Sequence, residues 1–266
     1  MPLGLLHALG WVLGWLTFLL SPTYRRHLWA QAHAAGVGRT DVLASVGEAG
    51  KLATELPRLW LGRPVRMGWE GAAHIEAAQA HGRGLLILTP HLGCFEICAQ
   101  AYARRFGARQ PITVLFRPAR QPWMRDLVAG SRQRPGLQTA PTTLAGVKQL
   151  IKALKAGDAV GLLPDQVPPE GQGVWASLFG QDAYTMTLSA RLAHSAQAAV
   201  VLVWGERLSW GRGYLVHVRP YDEAAWGPLS TDAATAARQI NQAMESLILS
   251  CPRQYLWSYD RYKQPR

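Results

Sequence analysis

The chain has 266 residues, 48% hydrophobic and 17% charged, with 28 Lys and Arg against 17 Asp and Glu for a formal net charge of +11. Such a length buries a substantial core as one large domain or two small ones, and the apolar fraction excludes a disordered chain. The charge excess points to an anionic partner: nucleic acid, an anionic membrane face, an acidic protein or a phosphorylated substrate. Three cysteines cannot make a disulfide framework, so a reducing compartment is the default, and eleven tryptophans suit either a membrane–water interface or a large core.

From the N-terminus, Leu3 to Leu20 reads LGLLHALGWVLGWLTFLL, with no Asp, Glu, Lys or Arg. As a helix it spans about 27 Å, close to the hydrocarbon thickness of a bilayer. Ser21-Pro22 ends it, and Tyr24, Arg25, Arg26 and Trp29 follow as an aromatic and cationic collar. A cleaved signal peptide would begin with positive side chains and end at a small-residue site, neither of which is present. A buried core helix is the second reading. A single span or an in-plane anchor is the reading adopted, and Arg25 and Arg26 then place the following chain on the cytoplasmic side.

The remainder reads as one continuous domain, dividing the chain into an anchor over 1–24 and a catalytic domain over 25–266. A long helix is expected over Asp41–Trp60, a short strand over Val65–Trp69 and an alanine-rich helix over Gly71–Ala80. Gly84–Pro90 is an apolar run of buried-strand length, and Ile112–Phe116, Ala159–Leu163, Ala198–Trp204 and Tyr214–Val218 are similar. Leu144, Val147, Ile151 and Leu154 recur at helical spacing, and a last helix is expected over Asp232–Ser250, before Pro252. Strands alternating with helices predict an α/β fold, a mostly parallel central sheet flanked by helices on both faces, preceded by the hydrophobic anchor helix.

The strongest local signal is Thr89-Pro-His91-Leu-Gly-Cys-Phe-Glu96, which follows a buried strand and opens a helix. Open α/β sheets place ligands at such carboxyl strand ends. His91 outside the helix can fold back toward Glu96, and a carboxylate on one ring nitrogen makes the other a general base. The competing reading is a half-buried capping histidine beside a surface glutamate, and spacing alone favours it. His91, Cys94 and Cys98 share a helical face that suits zinc, but no fourth ligand follows at a usual spacing. Cys94 as a nucleophile, or both cysteines as small buried hydrophobes, are further alternatives, the last fitting their apolar neighbours best.

A strand followed by H-x4-E at a helix start resembles the glycerolipid acyltransferase superfamily, and within it the lipid A biosynthesis late acyltransferases. Further segments match in order: Phe116-Arg117-Pro118, the helix Gly146–Gly157, Leu163-Pro164-Asp165-Gln166, Gly173-Val174 through Phe179-Gly180 with Thr185, and the ending Pro252–Lys263. Each motif is weak alone; the ordered set covers nearly the whole chain. Cys94-Phe95 stands where the family usually has Asn-Trp, and Tyr259-Asp260 where many members have His-Arg; Trp175-Ala176-Ser177 interrupts an otherwise Phe/Val/Pro-rich stretch. These departures bear on substrate choice more than on reaction type.

The resemblance implies that His91 is the base and Glu96 its orienting partner, with direct attack of an acceptor hydroxyl on an acyl thioester. It implies acyl–acyl carrier protein as donor, a phosphorylated lipid A precursor as acceptor, and a place at the inner membrane with the catalytic domain facing the cytoplasm. Arg117 is then a phosphate or oxyanion ligand, Arg120 and Arg125 further substrate-binding cations, and Asp165 a residue that positions the acceptor or pairs with Arg117. No cofactor, metal or nucleic acid is expected. Between Ile97 and Pro164 eleven Lys and Arg face only Asp126 and Asp158, so +9 of the +11 arises there. Lysophospholipid or ornithine-lipid acyl transfer is the alternative within enzymes. A non-catalytic module binding anionic lipid is the alternative outside them.

Overall fold

The structure, a computed structural model, describes residues 1–116 and 134–266. Its centre is formed by the two most continuously apolar runs. In β2 (Leu85–Leu88) and β5 (Ala159–Leu162) every residue is buried. A strand covered on both faces has no polar side to alternate with, which is why these runs show no period of two. They pair in parallel, Leu85 opposite Ala159 through Leu88 opposite Leu162.

The sheet grows outward from this pair. On one side lie β3 (Ile112–Phe116) and β4 (Leu137–Pro141); on the other β8 (Ala199–Arg207), β9 (Tyr214–Pro220) and β1 (Met67–Glu70), in the order β1-β9-β8-β2-β5-β3-β4. All neighbours are parallel except β8 and β9, which form an antiparallel hairpin. β1 and β9 therefore run opposite to the other five strands.

Helices cover both faces. α4 (Ala73–Ala80) and α5 (Phe95–Phe106) bury Ile75, Ile97, Tyr102 and Phe106 against Leu85, Ile87 and Val203. On the opposite face, α6 (Leu144–Lys155), α7 (Leu188–Ala196) and α9 (Ala233–Ser250) bury Leu150, Leu192 and Met244 against Leu86, Leu88, Val160 and Leu202. Truncating a fully buried leucine such as Leu86 to alanine typically costs about 2–5 kcal/mol. A short helix, α8 (Glu223–Trp226), precedes α9.

The expected strands and helices are present, while β4, α7, α8, a hairpin over 173–186 and a helix over Pro22–Ala34 were not expected. β4 sits at the sheet edge with only Leu137 and Ala140 buried, too little apolar surface to stand out. β6 (Gly173–Leu178) and β7 (Gln181–Met186) form a separate hairpin against α9. α2 (Pro22–Ala34) occupies what was read as a collar. Its start carries ordinary signals: Tyr24 N–H donates to Ser21 Oγ at 3.2 Å, and Pro22 sits in the first turn. The apolar helix α1 (Leu3–Leu20) and the longest helix, α3 (Arg39–Leu61), pack along each other.

Candidate active site

The segment after β2 is pinned on two sides. Thr89 N–H continues the ladder to Leu162 O at 3.1 Å, and the chain then turns across β8. Cys94 N–H donates to Gly205 O at 2.8 Å and Gly93 N–H to Gln254 O at 2.9 Å. Gly93 has φ +58°, and a Cβ there would lie 2.1 Å from Gly205 O, so the turn that exposes His91 requires glycine. Leu256 N–H donates to His91 O at 3.3 Å, adding the C-terminal segment to the support.

His91 is held by Asp165, which follows β5 at the same carboxyl edge of the sheet. His91 Nδ1 lies 2.8 Å from Asp165 Oδ1, and the His91 backbone N–H donates to Asp165 Oδ2 at 2.9 Å. Tyr255 O–H donates to Asp165 Oδ2 at 3.2 Å. Asp165 is fully buried; burial raises its pKa, but His91 and the buried Arg261 nearby outweigh this and hold the carboxyl below its ordinary value. An ionised Asp165 only accepts, so Nδ1 carries the proton and Nε2 the lone pair. The His91 side chain is 17% exposed, and Phe95 meets its ring edge-on at 4.7 Å between centroids. A ring with a fixed tautomer and a reachable Nε2 is a general base in form.

The expected orienting residue was Glu96. The structure gives the ring's Nδ1 to Asp165 instead. Glu96 lies in the first turn of α5, where its Oε2 accepts from Trp60 Nε1 at 3.2 Å. A five-residue spacing cannot distinguish these arrangements, because Asp165 is 74 residues away. Arg261 donates to Tyr184 O at 2.7 Å and Thr185 Oγ1 at 2.8 Å. It and Tyr255 belong to the C-terminal segment, where only the order of motifs hinted at a link to the site. Arg117, Arg120 and Arg125 lie outside the described residues.

Beside His91 a narrow apolar cavity runs between α5 and the sheet. Thr89 and Phe95 line it, with Cys98, Tyr102, Val114 and Gly161. A Cβ on Gly161 would come within 3.0 Å of Val114 Cγ1, so the glycine in the central strand keeps this space open. Burial pushes the Cys98 thiol up to about 12, and burial together with Glu55 raises the Cys94 thiol. Both are buried and uncharged at neutral pH, as small hydrophobes are, and a thiolate nucleophile is disfavoured.

Behind the loop lies a buried ionic network. Arg207 Nε donates to both Glu55 oxygens at 2.9 Å, and its Nη2 to Glu55 Oε1 at 2.6 Å and Gly93 O at 2.8 Å. Tyr214 O–H donates to Glu55 Oε2 at 2.8 Å, and His7 Nε2 lies 3.1 Å from the same oxygen. Burial raises the Glu55 pKa, yet Arg207 and these hydrogen bonds bring it down from about 4.5 to about 2. The network joins α1, α3 and β8 to a carbonyl two residues from His91.

A histidine hydrogen-bonded to a buried carboxylate thus lies at the carboxyl edge of the parallel sheet, beside a small apolar cavity. The family described as bacterial lipid A biosynthesis acyltransferase matches residues 45–264. The chain is 31% identical over 222 residues to the lipid A biosynthesis lauroyltransferase of Escherichia coli (strain K12), covering 82% of this chain and 69% of that protein. It is 27% identical over 198 residues to the palmitoleoyltransferase of the same organism, covering 73% and 60%. A lipid A biosynthesis acyltransferase of Haemophilus influenzae is 25% identical over 187 residues, covering 70% and 56%. The match thus spans less than two thirds of the latter two relatives. The chain belongs to the bacterial lipid A biosynthesis acyltransferase family, whose members are enzymes of acyl transfer.

Proposed function

We propose that this protein transfers a fatty acyl chain from an acyl–acyl carrier protein thioester to a hydroxyl of a phosphorylated lipid A precursor, at the cytoplasmic face of the inner membrane. The observation that carries the chemistry is the Asp165–His91 hydrogen bond at 2.8 Å. His91 Nε2 takes the proton of the acceptor hydroxyl as its oxygen attacks the thioester carbonyl carbon. The C–O bond forms, the carbonyl electron pair moves onto oxygen, and the C–S bond then breaks. The departing thiolate takes the proton from the imidazolium, so no covalent enzyme intermediate is needed. Asp165 holds the tautomer and balances the imidazolium charge, and Glu96 is a positioning residue at the start of α5.

An acidic acceptor and an acidic carrier both suit the basic stretch after His91. A cleft between the end of α3 and α5 adds Arg63, Arg104 and Arg134, the last fixed by its bonds to Leu59 O and Trp60 O. The test is mass spectrometry of lipid A from cells lacking the protein. Loss of one secondary acyl chain is the expected result, and an unchanged profile contradicts the assignment.

The apolar cavity is the proposed acyl slot. Filling it with Cys98→Leu or Gly161→Ala should shift preference toward shorter acyl donors while the shortest are still used, because added volume in a packed site has no room to relax. Rates measured across a series of acyl chain lengths check this; an unchanged preference in a folded variant would place the chain elsewhere.

A further inference from the structure

The apolar helix α1 is long enough to cross a bilayer, and it is the one helix among the described residues with that length and composition. Its packing points elsewhere. At its start, a Cβ on Gly211, in the turn between β8 and β9, would lie 2.2 Å from Gly4 N. One turn on, His7 meets Glu55 and Thr54 Oγ1 donates to Leu6 O at 2.8 Å. At mid-helix a Cβ on Gly10 would lie 2.5 Å from Lys51 Cα, and one on Gly14 would lie 2.2 Å from Val46 O. Gly10 and Gly14 are the small residues that let two backbones approach this closely. Toward its end Trp15 and Phe18 pack against the buried core of the domain, and Arg25 Nη1 donates to Phe18 O at 2.7 Å and Leu19 O at 2.6 Å.

Both ends of α1 therefore rest on the same globular body. A helix that spans has its ends on opposite sides of a hydrocarbon layer about 30 Å thick. α3 cannot accompany it across, since it carries Glu48, Lys51 and Glu55 within its length and each charged side chain at a bilayer centre costs about 2.5–3.5 kcal/mol even on the most lenient scale. The outward face is a different surface. Leu5, Leu9, Val12, Leu16 and Leu19, at spacings of four and three, are all exposed, opposite the buried His7, Gly10 and Gly14. Trp210, at 92% exposed, projects from the turn that touches Gly4, with Arg212 beside it, and Arg25 and Arg26 lie at the other end. An apolar stripe with an interfacial tryptophan and cations at both ends fits one leaflet and its anionic headgroups.

We infer that α1 does not cross the membrane: it lies along the domain in the plane of one leaflet, with the N-terminus on the same side as the catalytic site. This deepens the membrane reading above and rests on it. The buried network from His7 to Gly93 then holds the His91 loop directly behind the membrane-facing helix, where a lipid acceptor arrives.

The test places one cysteine at Pro2→Cys and, in a separate chain, one at the exposed Gln264→Cys, both in the full-length protein with Cys251→Ser. Intact cells are treated with a membrane-impermeant maleimide, and labelling is repeated after the inner membrane is opened. Both cysteines should be protected in intact cells and labelled after opening. Labelling of Pro2→Cys alone in intact cells overturns the in-plane arrangement and leaves the membrane reading standing. Recovery of the unaltered chain in the soluble fraction overturns the membrane reading itself. As a second arm, Leu9→Asp with Leu16→Asp should release folded protein from the membrane, whereas retention would show that the stripe does not hold it there.

Discussion

Replacing His91 by alanine, or Asp165 by asparagine, is expected to lower turnover by about 10^3-fold or more while the chain stays folded and membrane-bound. Asparagine keeps the shape of Asp165 but can donate to Nδ1, which puts the imidazole proton on the nitrogen that must accept the substrate's. In a comparable serine hydrolase such a change costs about 10^4 in kcat. Tyr255 and the His91 backbone N–H still have an oxygen to donate to in this variant, so structure is largely spared. Steady-state rates with a fixed acyl donor, read beside circular dichroism, provide the check. The comparison with Glu96→Gln decides which carboxylate orients the ring. If Asp165→Asn were as active as the unaltered enzyme and Glu96→Gln were as inactive as His91→Ala, the assignment made here would be reversed.

The second large effect is on stability. Arg207→Met leaves Glu55 buried at the junction of α1, α3 and β8 without its main partner, and breaking a buried pair from one side costs about 3–5 kcal/mol. For a chain of this size that corresponds to a fall in Tm of roughly 10 °C. Adding Glu55→Gln to Arg207→Met should recover part of the loss, because the uncompensated charge is then gone. Thermal melting of the single and double variants measures this, and additive losses would mean that the two residues do not act as a pair. The same pair sets the acid limit. Glu55 ionises at about 2 when folded and about 4.5 otherwise, so its contribution is complete above about pH 4.5 and lost as the pH falls toward 2. Asp165, also held low, acts in the same direction. Melting temperatures should be level down to about pH 4.5 and fall below it, less steeply in Glu55→Gln.

The parts of this protein that the sequence makes visible are those with local causes. β2 and β5 are legible because burial on both faces demands an unbroken apolar run, and His91 is legible because it follows such a run at a strand end. Its partner is not. Asp165 follows a buried apolar run of its own, but only the parallel pairing of β2 with β5 brings the two strand ends together. Spacing therefore drew attention to Glu96, the carboxylate within one turn, and not to Asp165. The Glu55–Arg207 pair crosses 152 residues and carries no local pattern at all. α1 was correctly recognised as apolar, yet composition does not say which side of a helix is already occupied. The glycines at 10 and 14 seat the helix against α3.

The most direct test of the central claim is acyl transfer in purified components. The detergent-dispersed protein, given an acyl–acyl carrier protein and a lipid A precursor, should increase the precursor's mass by one acyl group and release free carrier thiol in equal amount, and Asp165→Asn should abolish both. Absence of any acylated precursor across the range of donor chain lengths, with folded protein, would contradict the account.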